Sequence, residues 1–295
     1  MLKRVSCFAL SMVLLLSIFL QQGVAAGSEI EMQPVTSEEI IEEIHVEIDI
    51  PEPITSSLLV DNTVVSDAAL IFHKDIAYVS LRHAALALRP DAIISWEKGC
   101  AVITAEGLKV SIDPDNNYLV ANGRYLYLPE GALHQDGIIR IPARVIAKIF
   151  DAAFSYDSVS QNVYLTSGSG AITSGDEYYD KDDLYWLSHI INAESGNQSL
   201  IGKIAVGNVV LNRVADPVFP NSIYGVIYQK NQFTPVKNGT IKLTPNAESV
   251  VAAKLCLDGA VVLPTALWFN SAKANSWAAK HKVYITTIGA HAFYV

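Results

Sequence analysis

From Leu184 the apolar positions fall at Leu184, Leu187 and Ile191, three and four residues apart, and Glu194 continues the series. That spacing is one face of an α-helix. Asp182 and Asp183 offer an N-cap and a favourable charge at its start, and Gly196 and Asn197 end it. The predicted helix therefore carries a carboxylate on the stripe that should be buried, which is costly unless the group is neutralised or hydrogen-bonded. A second helix is predicted over "IGKIAVGNVVLNRV", where Gly202, Ala205 and Gly207 permit close helix approach before Pro217 and Pro220 stop the pattern. A short helix, "SIYGVIYQ", leads into the loop "KNQFTPV"; "TPNAESVVAAKLCLDG" is amphipathic and closes on Gly259. "ALWFNSA" and "KVYITTIGAHAFYV" alternate like strands. Residues 182–295 thus read as an α+β domain in which helices dominate.

Upstream, residues 57–167 show short alternating runs and brief helices, and they contain an internal repeat. "KDIAYVSLRHAALAL" (Lys74 to Leu88) matches "DGIIRIPARVIAKIF" (Asp136 to Phe150) at an offset of 62. Each copy is followed by Ser95-Trp96-Glu97 or Ser155-Tyr156-Asp157 and then a strand. Each unit should bury its apolar face against its twin. Arg82 and Arg144 recur in register and are expected to close the strand-to-helix turn. Residues 168–181 form a Gly/Ser-rich hinge ending in acids, and residues 27–56 an acidic, proline-containing linker. Residues 1–26 have a basic start, an apolar run and Val24-Ala25-Ala26, the pattern of a cleaved secretory leader, with an uncleaved anchor as the alternative.

Charge and cysteine content sharpen this picture. The 295-residue chain has a formal charge of −9, but Glu29 to Glu52 contains no Lys or Arg, and from Asp182 onward nine Lys and Arg face six Asp and Glu. A mildly basic C-terminal domain suits an anionic polymer outside the cell. No basic stripe or motif points to nucleic acid. Outside the leader only Cys100 and Cys256 remain, and both are expected to be small buried apolar residues.

The repeat resembles the copper amine oxidase N-terminal-like domain, a small α+β module. No His and Cys cluster here would bind copper, and the resemblance implies attachment or positioning at the cell envelope. "INAESGNQSLIGKIAVGNVVLNRV", "FPNSIYGVIYQKNQFTPV", "ALWFN" and "IGAHAFY", in that order, resemble the SleB/CwlJ-type spore cortex-lytic and cell-wall hydrolase family. The resemblance implies a lysozyme-like fold, peptidoglycan glycan strands as substrate, cleavage of the MurNAc–GlcNAc β-1,4 bond, and Glu194, the acid of the "AE" step, as the catalytic group. It also implies a secreted or envelope location, which includes the spore cortex.

The residues read the same way. Protonating a leaving glycosidic oxygen needs an acid that keeps its proton near neutral pH, and burial raises a carboxyl pKa. A carboxylate satisfied by a helix-end interaction is the plainer alternative. Ordinary glycosidases use two carboxylates. Beyond the Glu194 helix this domain has only Asp216, Glu248 and Asp258, none an obvious partner. Lytic transglycosylation, in which Glu194 acts first as acid and then as base on the sugar's own C6 hydroxyl, fits a single acid. Hydrolysis stays open if Asp216 positions a water.

For substrate binding, Gln232, Phe233 and Thr234 resemble the family's cleft segment, with Gln232 on an N-acetyl group and Phe233 stacked on a sugar. Trp268 and Asn270 have the composition of a sugar platform, and His291 and Tyr294 are expected near the cleft. Asn212 and Arg213 read as structural helix-end groups. No cofactor or metal is required, and neither HExxH nor GxSxG occurs. Two rival readings share these residues: an enzyme of vegetative wall turnover, and a wall-binding protein without catalysis.

Overall fold

The computed structural model describes residues 56–66, 69–135 and 137–295. The leader expected over 1–26, and the acidic linker except Ser56, lie outside them. Strands β1 (Leu58–Val60), β2 (Thr63–Val64), β3 (Leu70–His73) and β4 (Ile76–Ser80) lead into α1 (Leu81–Leu88). Then come β5 (Ile93–Glu97), β6 (Cys100–Ala105), β7 (Leu108–Ile112), β8 (Tyr118–Ala121), β9 (Arg124–Tyr127), β10 (Leu133–Gln135) and β11 (Ile138–Pro142). Helix α2 (Ala143–Ile149), β12 (Ala153–Asp157) and β13 (Asn162–Thr166) complete this β-rich part. The remainder is mainly helical: α3 (Gly175–Tyr178), α4 (Lys181–Ser195), α5 (Leu200–Ala215), α6 (Ile223–Tyr228) and α7 (Thr234–Asn238). A 3-10 turn (Thr240–Lys242), α8 (Ala247–Leu257), β14 (Trp268–Ser271), α9 (Trp277–His281), β15 (Tyr284–Ile288) and β16 (His291–Tyr294) follow. The fold class is α+β, as expected.

The repeat becomes a symmetric pairing. β4–α1 and β11–α2 are the two copies, and their strands pair antiparallel with Tyr78 opposite Pro142, Val79 opposite Ile141 and Ser80 opposite Arg140. Tyr78 is equivalent to Arg140 and Ser80 to Pro142, so the register is symmetric about the Val79–Ile141 pair. Both central residues are fully buried, as are Ile103 and Val110 from the meander β5-β6-β7-β8-β9. A third sheet, ordered β12-β13-β1-β2, closes the core.

The strand-to-helix turns are not closed by the two arginines. Ser80 caps α1, its Oγ 2.8 Å from His83 Nδ1, whereas Pro142 at the equivalent place has no side-chain cap to offer. Arg82 and Arg144 are exposed, and the Arg144 guanidinium lies 4.2 Å over the Phe154 ring. A long side chain on the exposed face of a helix cannot reach back to the buried turn.

The glycine- and serine-rich segment expected to act as a hinge is fastened along its length. Gly170 O accepts from Arg89 Nη1 at 3.0 Å, and Ile172 O accepts from Asn122 Nδ2 at 2.9 Å. Ile172 is buried in the first core, and Gly175 N donates to Asn122 O at 2.8 Å. A Cβ on Gly175 would meet Gly123 O at 2.6 Å. Small residues serve here for close backbone approach.

The second core packs α4 (Leu187, Ile190, Ile191) against α5 (Val206, Val210) and α8 (Ala252, Leu255), with Phe293 from β16. Tyr118, Tyr125 and Tyr127 of β8 and β9 also pack on it, so the two cores touch. Asp258, just past α8, has a side chain 1% exposed. It accepts from Arg124 Nε at 3.1 Å, lies 2.9 Å from Lys148 Nζ, and accepts a short bond from Tyr179. Both cores belong to one compact unit, Pro51–Val295.

Candidate active site

Helix α4 starts two or three residues earlier than its acids suggested. Asp180 is the N-cap, accepting from the backbone N–H groups of Asp182 and Asp183 at 2.9 Å each, so those two acids fill the first turn. At the other end Gly196 keeps a right-handed conformation, φ −56°, so its role is not a left-handed cap. A Cβ there would meet Asn192 O at 2.5 Å. Gly207 performs the close approach its sequence position promised: a Cβ would meet Cys256 Sγ at 2.6 Å and Ile191 Cδ1 at 3.0 Å. Burial pushes the Cys256 thiol up to about 12, which keeps it a neutral core residue.

Glu194 continues the face of Leu187, Ile190 and Ile191, all fully buried, and is itself half-buried where that stripe runs out. Its carboxyl makes no hydrogen bond or ion pair among the described residues, so the helix-end alternative is not what the structure shows. Burial alone raises its pKa from 4.5 to about 7. At neutral pH the group is therefore divided between acid and carboxylate.

The loop after Glu194 is held from two sides. Gln198 Oε1 accepts from Ala290 N at 3.0 Å, and a Cβ on Gly289, at φ +56°, would sit 2.3 Å from the same oxygen. This contact ties the β15–β16 turn, and His291 after it, to the end of α4. Across the helix, Asn192 Oδ1 accepts from Asn246 N at 3.1 Å, and Asn246 Nδ2 donates to Gly196 O at 2.9 Å. The N-terminus of α8 thereby braces the last turn of α4. Two residues are about 200° around a helix, so Glu194 lies on the opposite side of α4 from Asn192. Gln198 was not singled out from the sequence, because nothing local links it to a turn 92 residues away.

The other expected site residues do not form one cluster. Phe233 is 4% exposed and packs on Phe269 with centroids 6.3 Å apart, so it is core and cannot stack on a sugar. Its loop tucks the ring beneath Arg213, and Thr234 remains exposed at the start of α7. Gln232 Oε1 accepts from Arg213 Nη1 at 3.2 Å, in the last turn of α5, and is committed there. In β14 the alternation separates neighbours. Trp268 and Asn270 lie on the face that carries Tyr294, beneath α9, where Asn270 Oδ1 accepts from Ser276 Oγ at 2.5 Å. Tyr294 is buried there. Phe269 and His291 lie on the opposite face with ring centroids 5.3 Å apart. His291 Nδ1 is buried without a hydrogen-bond partner, and burial lowers the pKa of its ring. Of the expected companions, His291 directly follows the Ala290 tie to the Glu194 end, while Tyr294, in the same strand, is buried beneath α9.

Asn212 and Arg213 are structural, as read. Asn212 Nδ2 donates to Leu263 O and Ala266 O, and Arg213 Nε to Leu267 O at 2.7 Å. Arg213 has no carboxylate partner among the described residues and lies among Phe219, Phe233 and Trp268; burial brings its pKa down to about 10. The remaining acids are placed or occupied elsewhere. Asp216 caps the far end of α5, a helix ~24 Å long, where its Oδ1 accepts from Val218 N. Glu248 lies nearer the α4 end, yet it pairs with Lys203, whose side chain is 1% exposed. Asp258 is engaged by the β-rich part.

Residues 197–294 match the cell wall hydrolase family model, and residues 59–165 match the copper amine oxidase N-terminal domain model. Glu194 lies three residues before the first match. A spore cortex-lytic enzyme of Bacillus cereus is 34% identical over 116 residues, covering 39% of this chain and 45% of the relative. One from Bacillus subtilis is 32% identical over 116 residues, covering 39% and 38%. The chain thus spans less than half the length of these relatives. The crystallised catalytic domain of the Bacillus cereus SleB protein is 32% identical over 40% of this chain and 92% of that domain, with a TM-score of 0.37. The catalytic domain of a germination-specific lytic transglycosylase SleB from Bacillus anthracis is 31% identical over 42% and 100%, with a TM-score of 0.38. The chain thus carries a cell wall hydrolase domain at its C-terminal end, with a copper amine oxidase N-terminal domain ahead of it.

Proposed function

We propose that this protein cleaves the MurNAc–GlcNAc β-1,4 bond of peptidoglycan as a lytic transglycosylase in the cortex of germinating spores, with Glu194 as its single general acid and base. The observation that carries the reading is the unpartnered, half-buried carboxyl at the end of α4 with its pKa near 7. Protonated, Glu194 delivers its proton to the leaving glycosidic oxygen as the C1–O bond breaks. As carboxylate it removes the proton from the C6 hydroxyl, whose oxygen bonds to C1 and forms a 1,6-anhydro ring. Glu194 ends protonated again, and no water is consumed. The positions of Asp216, Glu248 and Asp258 support one acid serving both steps. The spore cortex-lytic relatives support the cortex as the setting, and the leader-like N-terminus supports export to the envelope.

Mass spectrometry of fragments released from purified cortex and vegetative peptidoglycan tests this. Wild type should release ends in 1,6-anhydromuramic acid, and Glu194→Gln should be slower by roughly 10²–10⁴-fold, the usual contribution of a general acid. Reducing ends would replace transglycosylation with hydrolysis. Release from vegetative wall alone would move the site of action. No release from either substrate would leave a wall-binding protein.

A further inference from the structure

Where the β-rich part meets the end of α8, the surface opens into a groove of about 750 Å³, within the range of ligand-sized sites. Two edge strands line it, β3 carrying Phe72 and β12 carrying Phe154 and Tyr156. Phe72 and Tyr156 meet edge to face at 6.0 Å and stay 39% and 43% exposed, so neither core has claimed them. Arg144 lies over Phe154 and has no carboxylate partner among the described residues. Lys148 on the same wall is already held by Asp258. Asp75 and Gln161 stand exposed on tight turns at the rim, with φ of +63° and +55°.

Aromatic faces cover the C–H faces of a pyranose ring, and a carboxylate with a carboxamide can bond its hydroxyl and acetamido groups. A free guanidinium beside them matches a carboxylate. We propose that this groove is a second binding site for peptidoglycan, seating a sugar ring against Phe72 and Tyr156 with an acidic substituent, lactyl or peptide carboxylate, on Arg144. The inference rests on the reading that the chain acts on peptidoglycan. Holding the strand here while Glu194 acts elsewhere raises the effective concentration of substrate at the cleaving site.

Sedimentation with purified sacculi tests the groove, using the full chain in a Glu194→Gln background so that no strand is cut. Phe72→Ala with Tyr156→Ala, and separately Arg144→Gln, should each weaken binding by about tenfold, the loss of one modest contact. Arg144→Glu, which reverses the charge, should weaken it further. Muropeptide oligomers with free carboxylates should bind more tightly than neutral N-acetylglucosamine oligomers, and Arg144→Gln should erase that difference. All three side chains are more than a third exposed, so melting temperature should fall by only about a few degrees, with each variant still folded at the temperature of the assay. If the groove variants sediment like their parent while the Glu194-intact chain still releases fragments, the groove proposal alone is wrong. If no fragments appear but the groove variants still lose the wall, the catalytic reading falls and the groove stands.

Discussion

Glu194 sets the behaviour of the molecule at the smallest scale because its burial has no compensating partner. Its folded-state pKa, about 7, lies above its ordinary 4.5. As pH rises from about 4.5 to 7 the unfolded chain sheds this proton first, so stability falls across that window and the full cost persists above it. Below the window the acid is neutral in both states. Glu194→Gln should therefore melt roughly 5–10 °C above wild type at pH 8 and level with it at pH 4. Equal melting at both pH values would contradict the burial argument. The wild-type cleavage rate should decline as pH rises through about 7, as the protonated fraction of the acid is lost.

The elements that present this acid are held by contact with neighbouring helices. Gly207 of α5 faces Ile191 of α4 and Cys256 of α8, so one missing side chain sets both helix separations. Gly207→Ala should cost about 1–3 kcal/mol, as overpacking does, read as a lower urea midpoint. It should also lower the cleavage rate more than exposed substitutions do, because α4 must shift and carry Glu194 with it. An unchanged midpoint would mean that the helices yield without strain. The expected site residues of β14, Trp268 and Asn270, share one face, as strand alternation requires. Tertiary packing turned that face toward α9 and the face of Phe269 toward Phe233 and His291, so the pair is separated from the Glu194 end.

Across the whole molecule, Asp258 joins the two cores. Its carboxylate collects Arg124, Lys148 and Tyr179, all contributed by residues before α4, and α8 carries that anchorage back to Asn246, beside the end of α4. Asp258→Ala should cost about 3–5 kcal/mol, because the buried Arg124 guanidinium would lose its counter-charge. Hydrogen exchange should show the β-rich and helical parts opening together in wild type and at different free energies in the variant. A variant that kept one common opening energy would show that the tyrosines of β8 and β9 suffice to couple the cores.

The periodicities of the chain determined where its helices and strands form, because those depend on side chains three, four or two residues apart. They also determined that a carboxylate lies on the buried side of α4, and that residues 74–88 and 136–150 are copies of one unit. Tertiary structure decided what distant residues share. It tied Gln198 to the turn before His291, committed Gln232 to Arg213, turned Phe233 into core and fixed the Gly/Ser segment in place. Each of these rests on contacts between residues far apart in the chain, and a local pattern of hydrophobic and polar positions carries no record of such distances.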